Sequence, residues 1–320
     1  MTSLRHGVRG RIAENPGAAP AIIAFLARAL LVSAAVAAAA SAPMASARAE
    51  TTDGSSSHAA RNEAVRAIPW RELTPDSRRA AQFVVKNASI YRRLPTRIID
   101  CDPDMFNFLF QHPEVVIDVW RVMGISQVTI AKMPAGTRFG GSAYRGTDGA
   151  GTNGVIRVLF TQWGEDGQNV AVVFADGSYH GKPFAAELKA QSLLFVRWSA
   201  IQETNGRYYV TVRVDSFVRL DQIGVELVAK TVQPWIAKTA DRNFIETLTF
   251  VSNFSRTAEK NPQGMQRLAN RLASLDEPTR NELVALCFRT AERYAMREQA
   301  ARPAGPLLAK RDLVAGRDER

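Results

Sequence analysis

The stretch "RYYVTVRVDSFVRL", residues 207–220, decides the fold class. Apolar side chains take every second position, namely Tyr208, Val210, Val212 and Val214. Polar residues such as Thr211 and Arg213 alternate with them. This period of two predicts a β-strand with one dry face and one wet face, as in an antiparallel sheet.

The residues before this strand continue the β-pattern. "AELKAQSLLFVRWSAIQ" (186–202) predicts a second long strand, joined to the first by the turn "ETNG" (203–206). "SQVTIAKM" (126–133), "GVIRVLFTQW" (154–163) and "NVAVVFA" (169–175) predict three more strands, and "RIIDC" (97–101) a short one. The Asp176-Gly177 pair predicts a tight turn.

Helical patterns flank the strands on both sides. After residue 220 the apolar spacing of Val228, Val232 and Trp235 predicts a long helix from an N-cap at Asp221 to Lys260, kinked or split at Pro234. Helices are also predicted at 75–91, from Asp102-Pro103, from His112-Pro113, and in two segments within 262–300. The chain is therefore predicted to be α+β, with a curved antiparallel sheet of six to seven strands gripping a long C-terminal helix and extra flanking helices.

The order of these elements resembles the helix-grip fold of the START and polyketide-cyclase superfamily. The resemblance spans 97–260 and rests on "HPEVVIDVW" (112–120) and the strand-to-helix passage "VRVDSFVRLDQIGVELVAKTV" (212–232). It implies a cavity for a hydrophobic small molecule or lipid, without a cofactor. The candidate lining residues are Ile156, Phe160, Phe174, Leu194, Trp198, Tyr208, Val212 and Trp235.

A filled core would use the same apolar and aromatic residues, so three functions stay open. The first is a carrier of a hydrophobic ligand. The second is a helix-grip enzyme such as a cyclase or hydrolase, which needs an ionisable side chain inside the cavity. The third is a non-catalytic interaction module with a closed core that binds a protein partner through its flanking helices.

The first 49 residues have the pattern of a signal peptide. Three arginines precede the apolar run "AIIAFLARALLVSAAVAAAA" (21–40), and Ala47-Arg48-Ala49 fits the small-residue cleavage site. We expect cleavage near Ala49 and export to the periplasm or the extracellular space; the alternative is an N-terminal membrane anchor. Residues 50–73 are predicted to be a flexible linker, 74–260 the helix-grip-like domain, 261–300 a helical extension and 301–320 a disordered tail.

Charge and cysteine content narrow the function further. The net charge is +10 for the whole chain, and residues 1–49 hold five Arg and one Glu, which leaves a mild excess in the exported part. No nucleic-acid motif accompanies it, so we expect no nucleic-acid partner.

Cys101 and Cys287 are the only cysteines. They predict either one disulfide in an oxidising compartment or two thiols, Cys287 being buried.

Three short patterns suggest chemistry that their surroundings do not support. The glycines of 149–154 match G-x-G-x-x-G, but a strand instead of a helix follows them, so we predict a loop between strands and no dinucleotide. In "DCDPD" (100–104), Asp102 is predicted to cap a helix rather than to bind calcium. Ser178 and His180 lack a nucleophile-elbow motif, so no catalytic residue and no metal ligand is assigned.

Overall fold

A computed structural model describes residues 53–134, 141–164, 167–180, 187–221 and 225–301; for 225–236 and 301 it describes the backbone alone. The helices of this part are α1 (His58–Ala67), α2 (Pro75–Lys86), α3 (Pro103–Gln111), α4 (Pro113–Val122), α5 (Val225–Lys260), α6 (Pro262–Ala269) and α7 (Glu277–Ala301). The strands are β1 (Ile90–Arg93), β2 (Arg97–Asp100), β3 (Thr129–Lys132), β4 (Ala143–Thr147), β5 (Thr152–Gln162), β6 (Gln168–Tyr179), β7 (Leu188–Gln202) and β8 (Tyr208–Asp221).

The strands form a single antiparallel sheet in the order β1-β8-β7-β6-β5-β4-β3, and β2 pairs with the other end of β8. This confirms the predicted α+β class. In the described part of the chain the sheet has eight strands instead of six or seven, because β1 and β4 were not predicted. The predicted helix 75–91 ends at Lys86. The chain then continues as β1, in which Tyr91 pairs with Phe217.

Both faces of the sheet are covered, which corrects the prediction of one wet face. One face packs against α3–α7. Leu194 and Val212 of the sheet and Phe244 and Leu248 of α5 belong to the apolar cluster between them. The other face packs against α1 and α2 and carries a second apolar cluster: Leu159, Val172, Phe174, Leu193, Phe195 and Phe217. The sequence pattern could not show this, because the polar residue Asp215 of β8 is also buried on the second face.

That second face contains a buried ion cluster centred on Asp215, which is fully buried. One of its oxygens, Oδ1, accepts hydrogen bonds from the Tyr91 hydroxyl (2.6 Å) and from Arg93 Nε (2.7 Å). The other oxygen, Oδ2, accepts from Arg197 Nη2 (2.7 Å). Arg93 also donates to Glu63 of α1 at 2.9 Å, so the cluster ties α1 to the sheet.

The helix boundaries follow local rules of capping. Thr74 and Asp102 are N-caps followed by proline, and the Asp102 carboxylate accepts from the backbone N–H groups of Asp104 and Met105. Asp102 also forms a double hydrogen bond with Arg293 of α7. The predicted capping role of Asp102 is therefore confirmed. Gly124, with a positive φ of 70°, follows the end of α4.

The glycine-rich stretch 149–154 lies between two strands, as predicted, but the strand before it is the unpredicted β4, and residues 152–154 already belong to β5. Gly149 and Gly151 have positive φ angles of 69° and 108° in the turn. The tight turn predicted at Asp176-Gly177 is wrong, since both residues lie inside β6. A Cβ at Gly177 would lie 2.7 Å from the Asn153 carbonyl oxygen, so glycine is required there by the close approach of β5.

The long helix α5 begins at Val225, since Asp221 still belongs to β8, and it continues without a break through Pro234. Its described side chains Phe244, Leu248, Val251 and Phe254 are buried in the core cluster of the first face. Among the described residues, no helix has the length and apolar character needed to span a membrane. The proposed signal peptide lies outside the described residues.

Candidate functional site

A cavity of about 440 Å³ lies between the first face of the sheet and α5. Three parts of the chain build its walls: the corner between α3 and α4, strands β4–β6, and the middle of α5. The apolar lining residues are Phe106, Leu109, Phe110, Pro113, Val116, Ile156, Val158, Leu159, Phe160, Trp163, Val173 and Val251. A concave site of this volume with a mostly apolar lining has the size of a small-molecule site.

One end of the cavity is polar because the α3–α4 corner places His112 there. His112 precedes Pro113 and is the N-cap of α4, although its side chain makes no capping bond. Its Nδ1 lies 3.2 Å from Glu114 Oε1, and its Nε2 lies 3.9 Å from Glu282 Oε2 of α7. Each ring nitrogen of His112 therefore faces a carboxylate, Glu114 at Nδ1 and Glu282 at Nε2.

Tyr144 of β4 closes the same end. Its ring is buried and its hydroxyl donates to the Gln111 carbonyl oxygen at 3.2 Å. Burial, followed by the negative charge of Glu114, raises the pKa of Tyr144 above its ordinary value, so the phenol stays protonated. Ser142 and Lys132 complete the polar rim.

The α5 wall is apolar in character despite containing a threonine. Thr247 and Val251 are one helical turn apart and both line the cavity. The Thr247 hydroxyl donates to the Asn243 carbonyl at 2.8 Å, so it is already satisfied within the helix. Polar recognition in this cavity therefore falls to the side chains around His112.

A second cavity, of about 540 Å³, adjoins the first one. Gln111 and Trp163 line both cavities, so they form the boundary between them. The Trp163 and Trp198 rings meet edge to face at 5.4 Å, and Trp198 also stacks on Phe110 at 4.6 Å. Trp163 is 42% exposed, although its neighbours in this aromatic group are buried or half-buried.

The structure divides the eight predicted lining residues among several places. Ile156 and Phe160 line the first cavity, Trp198 lines the second, and Leu194 and Val212 are buried in the core of the same face. Phe174 points to the other side of the sheet, into the cluster beneath α1 and α2. The Trp235 side chain lies outside the described residues.

Tyr208 lines a third cavity of about 520 Å³, beneath the C-terminal part of α7. The buried Glu259 carboxylate also lines it and lies 3.4 Å from Arg297 and 3.8 Å from Arg207. Burial is the largest influence on this group and raises the pKa of Glu259, although the two arginines act in the opposite direction. The cavity lies between α7 and the β7–β8 turn, and Glu259 of α5 and the arginines of α7 give it a charged lining.

The cysteines are two buried free thiols, so the disulfide alternative is not what the structure shows. Burial raises the pKa of both, that of Cys287 to about 12, which makes them poor nucleophiles. In the part of the chain that the structure describes, no three His, Cys, Asp or Glu side chains come together as metal ligands would.

Sequence reasoning missed most of the cavity. Leu109, Phe110 and Val116 belong to helices that the sequence predicts correctly, but apolar helix residues look alike whether they face a core or a cavity. The one local signal was His112, a polar ring between two otherwise apolar helices. Tyr144 gave none, since it lies in β4, a strand that was not predicted.

Comparison of the sequence with protein-family models and with curated proteins gives no match.

Proposed function

We propose that this protein binds a hydrophobic small molecule or lipid in the cavity between the sheet and α5. The observation that carries the proposal is the first cavity itself, about 440 Å³ of space with a largely apolar lining. Apolar ligands gain free energy from leaving water in proportion to the area buried, roughly 25 cal/mol per Å².

The proposal includes membership of the helix-grip group and export of the protein. The antiparallel sheet, with a 36-residue helix packed near it, supports the first of these. The basic, apolar and small-residue pattern of 1–49 supports the second. No cofactor is part of the proposed function. The flanking helices α2, α6 and α7 are the surfaces that we assign to a protein partner.

Uptake of a fluorescent fatty acid and a fluorescent phospholipid tests the binding function. Val158 lines the cavity and is half-buried, so Val158→Trp should fill the cavity and abolish uptake. Ile201 is 61% exposed and lines none of the three cavities, so Ile201→Trp is the matched control and should bind as the wild type does. Absence of uptake by the wild-type protein, or equal uptake by all three proteins, would contradict the proposal.

A second candidate function is hydrolysis of a hydrophobic ester in the same cavity, and the His112–Glu114 pair favours it. His112 Nε2 would take a proton from a water that attacks the ester carbonyl. It would then return that proton to the departing alkoxide, so that an acid and an alcohol leave. Glu114 would hold the ring in the required tautomer, as carboxylates do in catalytic dyads.

Long-chain nitrophenyl esters distinguish the two functions. If the protein is a hydrolase, His112→Gln should abolish turnover while the fluorescent fatty acid still binds. Glu114→Gln should lower turnover through the orientation of His112. If the wild-type protein releases nitrophenol no faster than His112→Gln does, the hydrolase function is wrong and the carrier function stands.

A further inference from the structure

We infer that the second cavity binds an uncharged saccharide head group, so that the natural ligand is an amphiphile with its apolar chain in the first cavity. The position of the ligand's apolar chain rests on the proposed function, and the position of its head group rests on the second cavity. The two cavities share Gln111 and Trp163 and are therefore adjacent, so an amphiphile whose chain fills the first cavity has its head group beside the second.

The aromatic part of the second cavity offers a stacking surface. Trp163 and Trp198 both line it, with Phe108 nearby, and the two indoles are nearly perpendicular at 81°. Trp163 keeps 42% of its surface exposed. Sugar rings present one face of C–H groups, which packs on the flat apolar surface of an indole, while their hydroxyls stay at the rim.

The amides in this cavity supply both kinds of hydrogen-bonding group. Asn107 Oδ1 accepts from Trp198 Nε1 at 2.9 Å, which leaves the Asn107 amide N–H groups as donors. Gln111 Nε2 donates to the backbone carbonyl oxygen of Asn107 at 3.3 Å, which leaves Gln111 Oε1 as an acceptor. Hydroxyl groups are donors and acceptors at once, so this pair suits them better than it suits an ion.

Helix α7 forms another wall of the second cavity, and its charged side chains there have opposite signs. Glu282, Leu286 and Arg289 line the cavity from one face of the helix, at the i, i+4 and i+7 positions. Glu282 contributes a negatively charged acceptor and Arg289 a positively charged donor. The remaining carboxylate, Asp104, lies 3.0 Å from Arg293 and is neutralised by it. With this balance we expect no preference for an anionic or a cationic head group.

The test compares three amphiphiles that share a dodecyl chain: dodecyl maltoside, dodecylphosphocholine and dodecanoate, each below its micellar concentration. Isothermal titration calorimetry on the full chain should show the maltoside binding at least about tenfold more tightly than the other two. That factor corresponds to one or two hydrogen bonds and a stacked ring. Free maltose, which has no dodecyl chain, should compete weakly with the maltoside and should not compete with the other two compounds.

Variants then locate the head group. Trp163→Ala and Glu282→Gln should each reduce the maltoside preference, and Glu282 is exposed enough that its replacement leaves the fold intact. Ile201→Ala is the control and should keep the full preference. Dodecanoate affinity should change little in Glu282→Gln and Ile201→Ala, because the dodecyl chain lies in the first cavity and neither residue lines it; Trp163 lines both cavities, so Trp163→Ala should weaken dodecanoate as well, but less than the maltoside.

Equal affinity for the three dodecyl compounds would overturn the saccharide inference and leave the apolar-ligand function standing. A preference for dodecylphosphocholine or dodecanoate would overturn it in favour of a zwitterionic or anionic head group. If no dodecyl compound binds, the proposed function fails. In that case the second cavity would still be a saccharide site if the wild-type protein binds maltose and Trp163→Ala does not. If the wild-type protein does not bind maltose either, the saccharide inference fails as well.

Discussion

Replacement of Asp215 by alanine should be one of the most destabilising single changes on the second face of the sheet. Arg93 would keep its hydrogen bonds to Glu63 and to the Ala60 carbonyl. Arg197 would lose its hydrogen bond at Nη2, and its Nε is already buried without one. Burial already lowers the pKa of Arg197, with Asp215 acting in the opposite direction and the positive charge of Arg213 adding to the lowering, so removal of Asp215 leaves both unfavourable influences unopposed.

The expected cost follows from this orphaned cation. Removing one partner of a buried ion pair costs about 3–5 kcal/mol, mainly because the other charge remains unpaired. Arg197 is 26% exposed, so water compensates in part, and we expect about 3 kcal/mol for Asp215→Ala. An exposed pair provides the control: Glu246→Ala, which removes the partner of Arg242, should cost less than about 0.5 kcal/mol.

Urea unfolding followed by circular dichroism measures both values. The double variant Asp215→Ala/Arg197→Met removes the orphaned cation as well, so it should be less destabilised than the sum of the single variants by about 1–3 kcal/mol. A loss below about 1 kcal/mol for Asp215→Ala, or full additivity in the double variant, would refute the idea that the buried charge is what makes the site sensitive.

Three further predictions concern other parts of the fold. The folded protein holds the Glu259 proton more tightly than the unfolded chain, so the free energy of unfolding should fall as pH rises from 4.5 through the raised pKa. Glu259→Gln should remove that part of the pH dependence in urea titrations, and an identical pH profile would contradict it. Gly177→Ala should cost about 1–3 kcal/mol by thermal unfolding because the added Cβ meets backbone, whereas Gly146→Ala, with 3.4 Å of clearance, should cost less; equal losses would be contrary to this reasoning. Cys101 and Cys287 should both react with a thiol reagent after unfolding but not before it, and rapid reaction of the folded protein would show that the thiols are accessible.

The sequence predicts much of the fold because its signals are local. The alternation in β7 and β8 defined the sheet, and proline after an N-cap marked the starts of α2, α3 and α4. Strand β1 was missed because Tyr91 continues the apolar spacing of α2, although the helix has already ended. Gly177 was misread because a close approach between strands and a tight turn both select glycine.

The site was much harder to predict than the fold. Alternation shows which residues of a strand share a face, but it cannot show which face meets a helix and which meets a cavity. Phe174 and Phe160 follow the same apolar pattern and both pack with the cluster beneath α1 and α2, yet only Phe160 also lines the first cavity. The bulge between Val158 and Phe160 changes the register of β5 and so changes which residues face each side.

Native mass spectrometry of the protein purified from an exporting host, with extraction of any bound lipid, tests the central claim most directly. The wild-type protein and Ile201→Trp should carry a co-purifying apolar molecule that is released on denaturation, and Val158→Trp should have the mass of the polypeptide alone. A wild-type protein that has only the polypeptide mass, and that takes up neither fatty acid nor phospholipid when these are added, would contradict the account.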